Sequence, residues 1–366
     1  MSDLMKEREE LAEIDRQIMA LVGRRNAAAE KIGIAKALAN EGVVVPQVEK
    51  IVVERYVEEG KKHGVSAATA SRIARAVIDE SVDVQGRVPR SAAPKKIFIV
   101  GGNGGMGRWL SDFFHARGHA VSILDVNPAG AKYPFEDFVT GCKSDVIIVA
   151  TPVDVSREIL EKVFAENTDA LIFDILSVKS PVESVLIKAA ADGRRVCSVH
   201  PMFGPCAPSV AGRNIIVADC GCVSANCDAA ELFSGGTILE MPILEHDKAA
   251  AYVLGLSHAV NLAFSDALVS SGFSFKELSD AASTTFRKQV AVSREVSLEN
   301  AELYYAIQRE NPKNSSALEK LEEAVRRVRK LPRDEFISMM HKEAEWYLKD
   351  EQSLGEERLR GCLSQP

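Results

Sequence analysis

The sequence predicts an α/β Rossmann-type dinucleotide-binding domain, preceded by an N-terminal three-helix domain and followed by a C-terminal all-helical dimerisation domain. Three observations carry that prediction. Residues 95–125 run strand, glycine-rich turn, helix and strand in unbroken order. Ahead of them, three amphipathic helices joined by short links occupy residues 1–88. From Ile243 the strand pattern ceases and only helical periodicity remains. The expected domains are residues 1–88, a linker at 89–94, the nucleotide domain at 95–242, the helical domain at 243–350 and a tail at 351–366.

In the central domain, Ile97, Phe98, Ile99 and Val100 form an apolar run rich in β-formers, as expected of a strand buried on both faces. The glycine-rich stretch follows at once, and Gly102-x-Gly104-x-x-Gly107 fits the dinucleotide fingerprint. Such glycines serve a tight turn, close approach of backbone to pyrophosphate, and close helix–strand packing. Trp109, Leu110, Phe113 and Phe114 then recur at helical spacing until Gly118. The N-terminus of that helix offers unpaired N–H groups to phosphate. Residues 121–124 read as the second strand, with Asp125 at its carboxyl end. A carboxylate there accepts hydrogen bonds from both ribose hydroxyls. Val126-Asn127-Pro128 supplies no arginine for a 2′-phosphate. NAD is therefore the expected cofactor, in preference to NADP, held by Gly102, Gly104, Met106, Gly107 and Asp125, with Thr151 and Pro152 turning the chain at the cofactor edge.

Composition narrows the partners. At 366 residues the chain is long enough for two or three domains, each with its own core. Hydrophobic content of 46% and a mean hydropathy of -0.04 describe an ordinary soluble protein. No apolar run approaches the ~20 residues of a membrane span, and the acidic, helical start is no signal peptide. A formal net charge of -7 and a pI of about 5.7 argue against a nucleic-acid surface. Seven cysteines without an export signal suggest reduced thiols and a cytoplasmic location. Cys220-x-Cys222 with Cys227 lacks a fourth ligand at zinc-like spacing, so no metal site is expected.

Along the first helix Leu4, Leu11, Ile14, Ile18 and Leu21 follow a seven–three–four–three spacing, which is a coiled-coil-like seam. Gly42 breaks that helix, Pro46 suits the first turn of a second, and Ser66 can cap a third that runs toward Gln85. Three short-linked helices cannot bury so long a seam alone, which points to a helical dimer. Arg25 and Lys36 stand eleven residues apart, three turns, on one face. Arg8 lies seventeen residues before Arg25, about 25 Å at ~1.5 Å per residue. Arg8 and Arg25 of one helix cannot grip the same small molecule, but Arg8 of a partner chain can. Ser81 and Gln85 are i, i+4 on the third helix and point the same way.

The segments MKEREELAEIDRQIMALVGRRNAAAEKIGIAKAL and VIDESVDVQ resemble the all-helical class of chorismate mutase over nearly all of residues 4–86. The resemblance implies substrate-carboxylate arginines at Arg25 and, from the other subunit, Arg8. It implies ether-oxygen contacts at Lys36 and Gln85, with Glu49 near the substrate hydroxyl and Ser81 near a carboxylate. The chemistry is a unimolecular rearrangement, in which cationic and amide donors stabilise charge building on the breaking ether oxygen. Two positions depart from the family pattern: an acidic residue and an arginine usually precede the Glu49 position, where this chain has Val45 and Val48.

Beyond the second strand, residues 127–145 are weakly patterned, as in a shortened crossover. Further strands are expected at 146–150, 171–174, 196–199, 215–218 and 237–239, with a helix at about 181–192. The strand at 196–199 delivers His200-Pro201-Met202-Phe203-Gly204-Pro205 at its end, where doubly wound sheets place their ligand crevice. Glu245-His246-Asp247 opens a long apolar helix through His258, and further helices are expected at about 275–310, 315–330 and 333–349.

GGNGGMGRW, DILSVK, SVHPMFGP, EHDKAAAYVLGLSHAV and FRKQVAVSRE together resemble prephenate dehydrogenase over residues 95 to about 310. With a chorismate mutase in front, the chain resembles the bifunctional chorismate mutase/prephenate dehydrogenase family of tyrosine biosynthesis. The resemblance implies rearrangement of chorismate to prephenate, then NAD-dependent oxidative decarboxylation of prephenate to 4-hydroxyphenylpyruvate, in a homodimer open to feedback inhibition by tyrosine. His200, with an ordinary pKa near ~6.5, suits the base that takes the ring hydroxyl proton. Ser177 is expected to hydrogen-bond and orient that imidazole. The resemblance gives the ring carboxylate to Arg294, with Arg287 close by, and the pyruvyl side chain or the inhibitor tyrosine to His258. His246 is assigned no chemistry. Two alternatives stay open: a dehydrogenase whose helical front domain is catalytically weak or idle, which Val45 and Val48 favour, and one of the same fold that acts on arogenate or another hydroxy acid.

Overall fold

The computed structural model of the chain describes residues 3–39, 41–88, 93–166 and 168–351. Residues 89–92 of the expected linker and 352–366 of the expected tail lie outside the described residues. Helix-favouring residues without proline make α1 (Asp3–Leu38) one 36-residue helix. Pro46 opens α2 (Pro46–Lys62), where its missing N–H is not needed. Ser66 accepts from the Thr69 N–H to cap α3 (Ala67–Gly86). α3 packs on both α1 and α2, meeting α1 in its second half, where Gly33 lies against Gln85 and Val88. In the first half, residues 4–21 are exposed without exception.

The central domain runs β1 (Lys96–Val100), α4 (Gly105–Ala116), β2 (Ala120–Leu124), α5 (Phe138–Gly141), β3 (Val146–Val149), α6 (Val153–Ala165), β4 (Leu171–Asp174), α7 (Glu183–Ala191), β5 (Val196–Pro201), β6 (Asn214–Asp219), α8 (Val223–Leu232) and β7 (Thr237–Pro242). Helices α6 and α8 connect strands in stretches for which the sequence pattern predicts no element. The strands form one sheet in the order β2-β1-β3-β4-β5-β6-β7. The first five in that row are parallel, β6 runs antiparallel to β5, and β7 is parallel to β6. β1, β3, β4 and β5 are apolar runs because both sheet faces are covered. One face buries Ile97, Ile99, Leu110, Phe114 and Phe233; the other buries Phe98, Ile147, Leu160 and Leu186. The order reverses between β1 and β3, which opens the ligand crevice at their carboxyl ends.

After β7 one continuous helix comprises α9 (Ile243–Ala250), a π-helical stretch (Ala251–Leu256) and α10 (Ser257–Val269). The widened π turn lies against α14 (Asn314–Lys330), where a Cβ on Gly255 would stand 2.2 Å from Asn314 Oδ1. Between them run α11 (Phe275–Asp280), α12 (Thr284–Leu298) and α13 (Ala301–Glu310), and α15 (Arg333–Glu351) follows. α12 is pinned to α10 where Ser293 and Gln289 donate to Asn261 Oδ1 at 2.8 and 3.0 Å. Contrary to the expectation that no segment reaches the length of a membrane span, the continuous helix Ile243–Val269 does so by length and composition. Its most apolar stretch has a mean hydropathy of 1.2. The first turns of this helix are bonded into the sheet domain, because Asp247 accepts from the Lys179 and Ser180 N–H groups.

Candidate functional site

At the β1–α4 junction the turn is made by Gly101, one residue ahead of the fingerprint expected from the sequence. Its φ is +84°, and a Cβ would lie 2.5 Å from the Ala150 carbonyl oxygen. Gly107 permits the close helix–strand approach, since a Cβ there would fall 2.1 Å from Gly101 O. Gly102 is buried against Ile123, and Gly104 is the N-cap of α4. The N–H groups of Gly105, Met106 and Gly107 in the first turn have no intrahelical acceptor and point a positive dipole end outward. Asp125 accepts from the Asn103 and Asn127 N–H groups, both at 2.9 Å, which holds its carboxylate at the turn. Thr151 N lies 3.0 Å from that same Cβ position, and Pro152 is the N-cap residue of α6. A backbone cradle with no room for side chains, a helix N-terminus and a fixed carboxylate fit a dinucleotide.

Farther along the same sheet edge, β5 delivers His200 into the interior, 3% exposed. Its Nδ1 lies 2.9 Å from His246 Nε2, and His246 Nδ1 lies 2.8 Å from Asp247 Oδ1. This corrects the expected partner: no hydrogen bond joins His200 to Ser177, which sits half-buried in the loop after β4. Asp247 also accepts from the Lys179 N–H, the Ser180 N–H and the Ser180 hydroxyl at 2.9, 2.8 and 2.5 Å. These donors and the His246 ring hold its carboxyl down at about 2 against the cost of burial. An ionised carboxylate only accepts, so His246 carries its proton on Nδ1 and presents Nε2 as an acceptor. His200 must then donate from Nδ1, which leaves its Nε2 lone pair unprotonated.

Burial, then the His246 ring and the Lys179 charge, push the His200 pKa well below 6.5. The ordinary value expected from the sequence is corrected accordingly. Lys179 itself is fully buried, its Nζ 2.8 Å from Asp174 and 2.9 Å from the Val199 carbonyl oxygen. The sequence alone does not mark His246, Asp247 and Lys179 as functional residues. The adjacent acid and histidine of Glu245-His246-Asp247 are the available signal.

The helical domain brings fewer of its expected residues together. Arg287 and Arg294 are exposed on α12, whose packing partner is α10, and neither is bonded to the sheet domain among the described residues. His258 is half-buried and stacks on Tyr304 at 4.4 Å, with its Nδ1 buried and unpartnered among the described residues. Burial lowers its pKa.

In the N-terminal unit, Arg25 donates to Ser81 Oγ and to the Val77 carbonyl oxygen. Lys36 Nζ donates to the Val43 carbonyl oxygen at 2.6 Å. Gln85 is buried with Oε1 unpartnered among the described residues. Glu49 is half-buried in the first turn of α2, Val45 is the N-cap of that helix and Val48 is 54% exposed. Arg8 is exposed on the uncovered half of α1. Among the described residues, no group of three or more His, Cys, Asp or Glu is placed to hold a metal ion.

The fold and the nucleotide cradle define a Rossmann-type dehydrogenase joined to a helical unit. Residues 7–86 match the family "Chorismate mutase type II", residues 126–216 the "Prephenate dehydrogenase, nucleotide-binding domain", and residues 243–343 the "Prephenate dehydrogenase, dimerization domain". The T-protein of Haemophilus influenzae is 26% identical over 354 residues, covering 93% of this chain and 91% of the relative. A 4-amino-4-deoxyprephenate dehydrogenase of Streptomyces pristinaespiralis is 31% identical over 232 residues, covering 58% of this chain and 77% of the relative. The prephenate dehydrogenase of A. aeolicus, solved with hydroxyphenyl propionate and NAD+, shares the fold at a TM-score of 0.56 and 19% identity, over 73% of this chain and 99% of that one. The chain belongs to the prephenate dehydrogenase family, in its bifunctional form with a chorismate mutase domain in front.

Proposed function

We propose that this chain, a chorismate mutase and NAD-dependent prephenate dehydrogenase, runs its two reactions at two separate sites of a homodimer. The observation that carries the dehydrogenase half is the bonded series His200–His246–Asp247 beside the nucleotide crevice. His200 Nε2 takes the proton of the ring hydroxyl. NAD, which the Gly101–Gly107 turn, the α4 N-terminus and Asp125 would hold, would supply the hydride acceptor. Asp247, two rings away, steadies the charge that reaches His200, and the fixed tautomer means that no ring must turn over first. Release of the ring carboxylate as carbon dioxide then makes the ring aromatic and the step effectively irreversible. Arg294, with Arg287 beside it on α12, holds that carboxylate until it leaves. His258, half-buried with an unspent Nδ1, receives the side chain of prephenate or of the inhibitor tyrosine. Ser177 supplies a further hydroxyl from the loop after β4.

For the rearrangement, Arg25 and Ser81 meet a carboxylate, Lys36 and Gln85 face the ether oxygen, and Glu49 faces the substrate hydroxyl. Gln85 is buried between α1 and α3, and its Nε2 is the donor that an ether oxygen, itself only an acceptor, requires. Arg8 comes from a second copy. Leu4, Leu11, Ile14, Ile18 and Leu21 are 44% to 61% exposed, and Tyr252 and Val253 on the π-helical stretch are 44% and 56% exposed. A second copy covering both faces makes the dimer, and the long apolar helix becomes an intersubunit helix. The described cysteines are free thiols, which supports a cytoplasmic location.

The test is to supply chorismate with and without NAD, following prephenate and NADH separately. Prephenate forming without NAD, and NADH appearing with it, is the expected result. Oxidation of added prephenate without any consumption of chorismate would mean that the front domain is idle, the reading that Val45 and Val48 favour.

A further inference from the structure

Among the described residues α3 is bonded to the dehydrogenase domain through the Asp83 side chain and the Gly86 carbonyl oxygen, and Asp83 lies between two residues of the proposed mutase site. Asp83 falls two residues after Ser81 and two before Gln85, about 200° around a helix of 3.6 residues per turn from each. Its Oδ1 accepts from Ser209 Oγ and from Arg213 Nη1, both at 2.8 Å, across 126 and 130 residues of chain. The pair is only 14% exposed on the Asp83 side and 28% on the Arg213 side.

The loop that holds Asp83 is itself rigid. Arg213 also donates to the carbonyl oxygens of Ser209 and Ala211 at 3.1 and 3.0 Å, and Ser209 Oγ accepts from the Ala211 N–H at 3.1 Å. Arg213 directly precedes β6, and its own carbonyl oxygen accepts from Thr237 N at 2.9 Å. At Gly86 the two domains meet so closely that a Cβ would lie 2.6 Å from Ala211 and 2.8 Å from Ser209 Oγ. Arg117 of the nucleotide domain donates to the Gly86 carbonyl oxygen at 3.5 Å, at the end of α3 where the helix dipole favours a cation.

The two sides differ in stiffness. β6 is held on both edges by sheet hydrogen bonds, whereas α3 belongs to a small helical unit whose longest helix is half uncovered in this chain. We infer that Asp83 is a positioning residue for the chorismate rearrangement, clamping α3 to the Ser209–Arg213 loop so that Ser81 and Gln85 are held at the angle the transition state requires. This rests on the placing of Ser81 and Gln85 in the mutase site. Charge-assisted bonds of this kind are strong and directional, and a small misplacement of a donor at the reacting centre is felt in turnover.

The experiment measures mutase and dehydrogenase turnover separately in the full chain for Asp83→Asn, Ser209→Ala, Arg213→Met, Arg213→Lys and the Asp83→Asn/Arg213→Met double variant. Asp83→Asn and Arg213→Met should each lower mutase kcat about three- to thirtyfold, with the chorismate KM moving less than about twofold. The double variant should be no worse than the poorer single, and Arg213→Lys, which keeps the charge, should recover most of the loss. Oxidation of added prephenate should stay within about twofold, and helix content should be unchanged. Ser209→Ala and Arg213→Met lie outside the helical unit, so a folding defect of α3 cannot explain a mutase loss in them. Wild-type mutase turnover in Arg213→Met and Ser209→Ala would overturn the inference. Arg25→Ala serves as the control: if that variant keeps its mutase activity, the site assignment itself is at fault rather than the clamp.

Discussion

His200, His246 and Asp247 are buried and bonded in series within a single chain, whereas the apolar stripe along the first half of α1 stands exposed in the same chain. The difference follows from architecture. A sheet covered on both faces encloses its polar groups, so a strand end such as that of β5 can hold a rigid, dry base. The three-helix unit has a small interior around Ala74, Ser81 and Gln85, and none of it covers the first half of α1. Each exposed seam side chain would contribute about 1.5–3 kcal/mol on full burial, which is what the proposed second copy would supply to the helical unit. On the proposed dimer, the dehydrogenase base is intrinsic to one chain and the mutase site is completed by Arg8 of the second copy.

The largest expected effect breaks the assembly-dependent site. Arg8→Ala and Arg25→Ala should each abolish mutase activity while sparing oxidation of added prephenate. Mixing the two variants should restore part of the activity through hybrid dimers carrying one intact site. No recovery despite demonstrated subunit exchange would remove the shared-site arrangement.

Within the intrinsic site, His200→Asn should lower dehydrogenase turnover by roughly 10²–10⁴-fold and leave the mutase untouched. Prephenate binding should change much less, since the carboxylate contact proposed for Arg294 is untouched. Asp247→Asn should cost at least about tenfold, because it no longer fixes the tautomers of both rings. The pH profile sharpens the comparison. The base works when neutral, and the His200 pKa is pushed well below 6.5 by burial, so the rate should stay flat as pH falls through 6.5 and decline only at lower pH. Stability should run with the same sign. Below about 6.5 the unfolded imidazole binds a proton that the folded one refuses, so falling pH favours unfolding. An acid limb centred at 6.5 in the kcat/KM profile, and lost in His200→Asn, would show that the imidazole is not shielded in solution.

Smaller effects are expected at the two ligand edges. NAD should be preferred over NADP, because a 2′-phosphate would meet the fixed Asp125 carboxylate. Asp125→Ser should erode that preference, and equal efficiency with both cofactors in the unaltered chain would argue against the assignment. Smallest of all is the valine pair before Glu49. Val48→Arg should lower the chorismate KM by the equivalent of one hydrogen bond, about 0.5–1.5 kcal/mol for a neutral pair, since Val48 is exposed and an arginine there meets no steric obstacle. An unchanged KM would mean that another residue already serves the substrate hydroxyl.

By itself the sequence determined what is local and periodic. Apolar runs of four or five residues specified the strands, Pro46 and Ser66 began α2 and α3, and the glycines with Asp125 marked the nucleotide crevice. Spacing alone showed that Arg8 and Arg25 of one helix cannot meet, and the heptad-like recurrence of leucine and isoleucine along α1 was enough to mark its seam. Tertiary structure decided which groups touch across long stretches of chain. The turn glycine proved to be Gly101, because a left-handed φ arises from the packing of β1 against β3 and not from the motif's spacing. The partner of His200 proved to be His246 rather than Ser177, because α9 returns beneath the loop after β4 and brings position 246 to position 200. The depressed pKa of that imidazole followed from enclosure, which no run of residue letters encodes. The clamp between Asp83 and Arg213 joins positions 130 apart, and such a pairing exists only once a helix of one domain has docked on a loop of another.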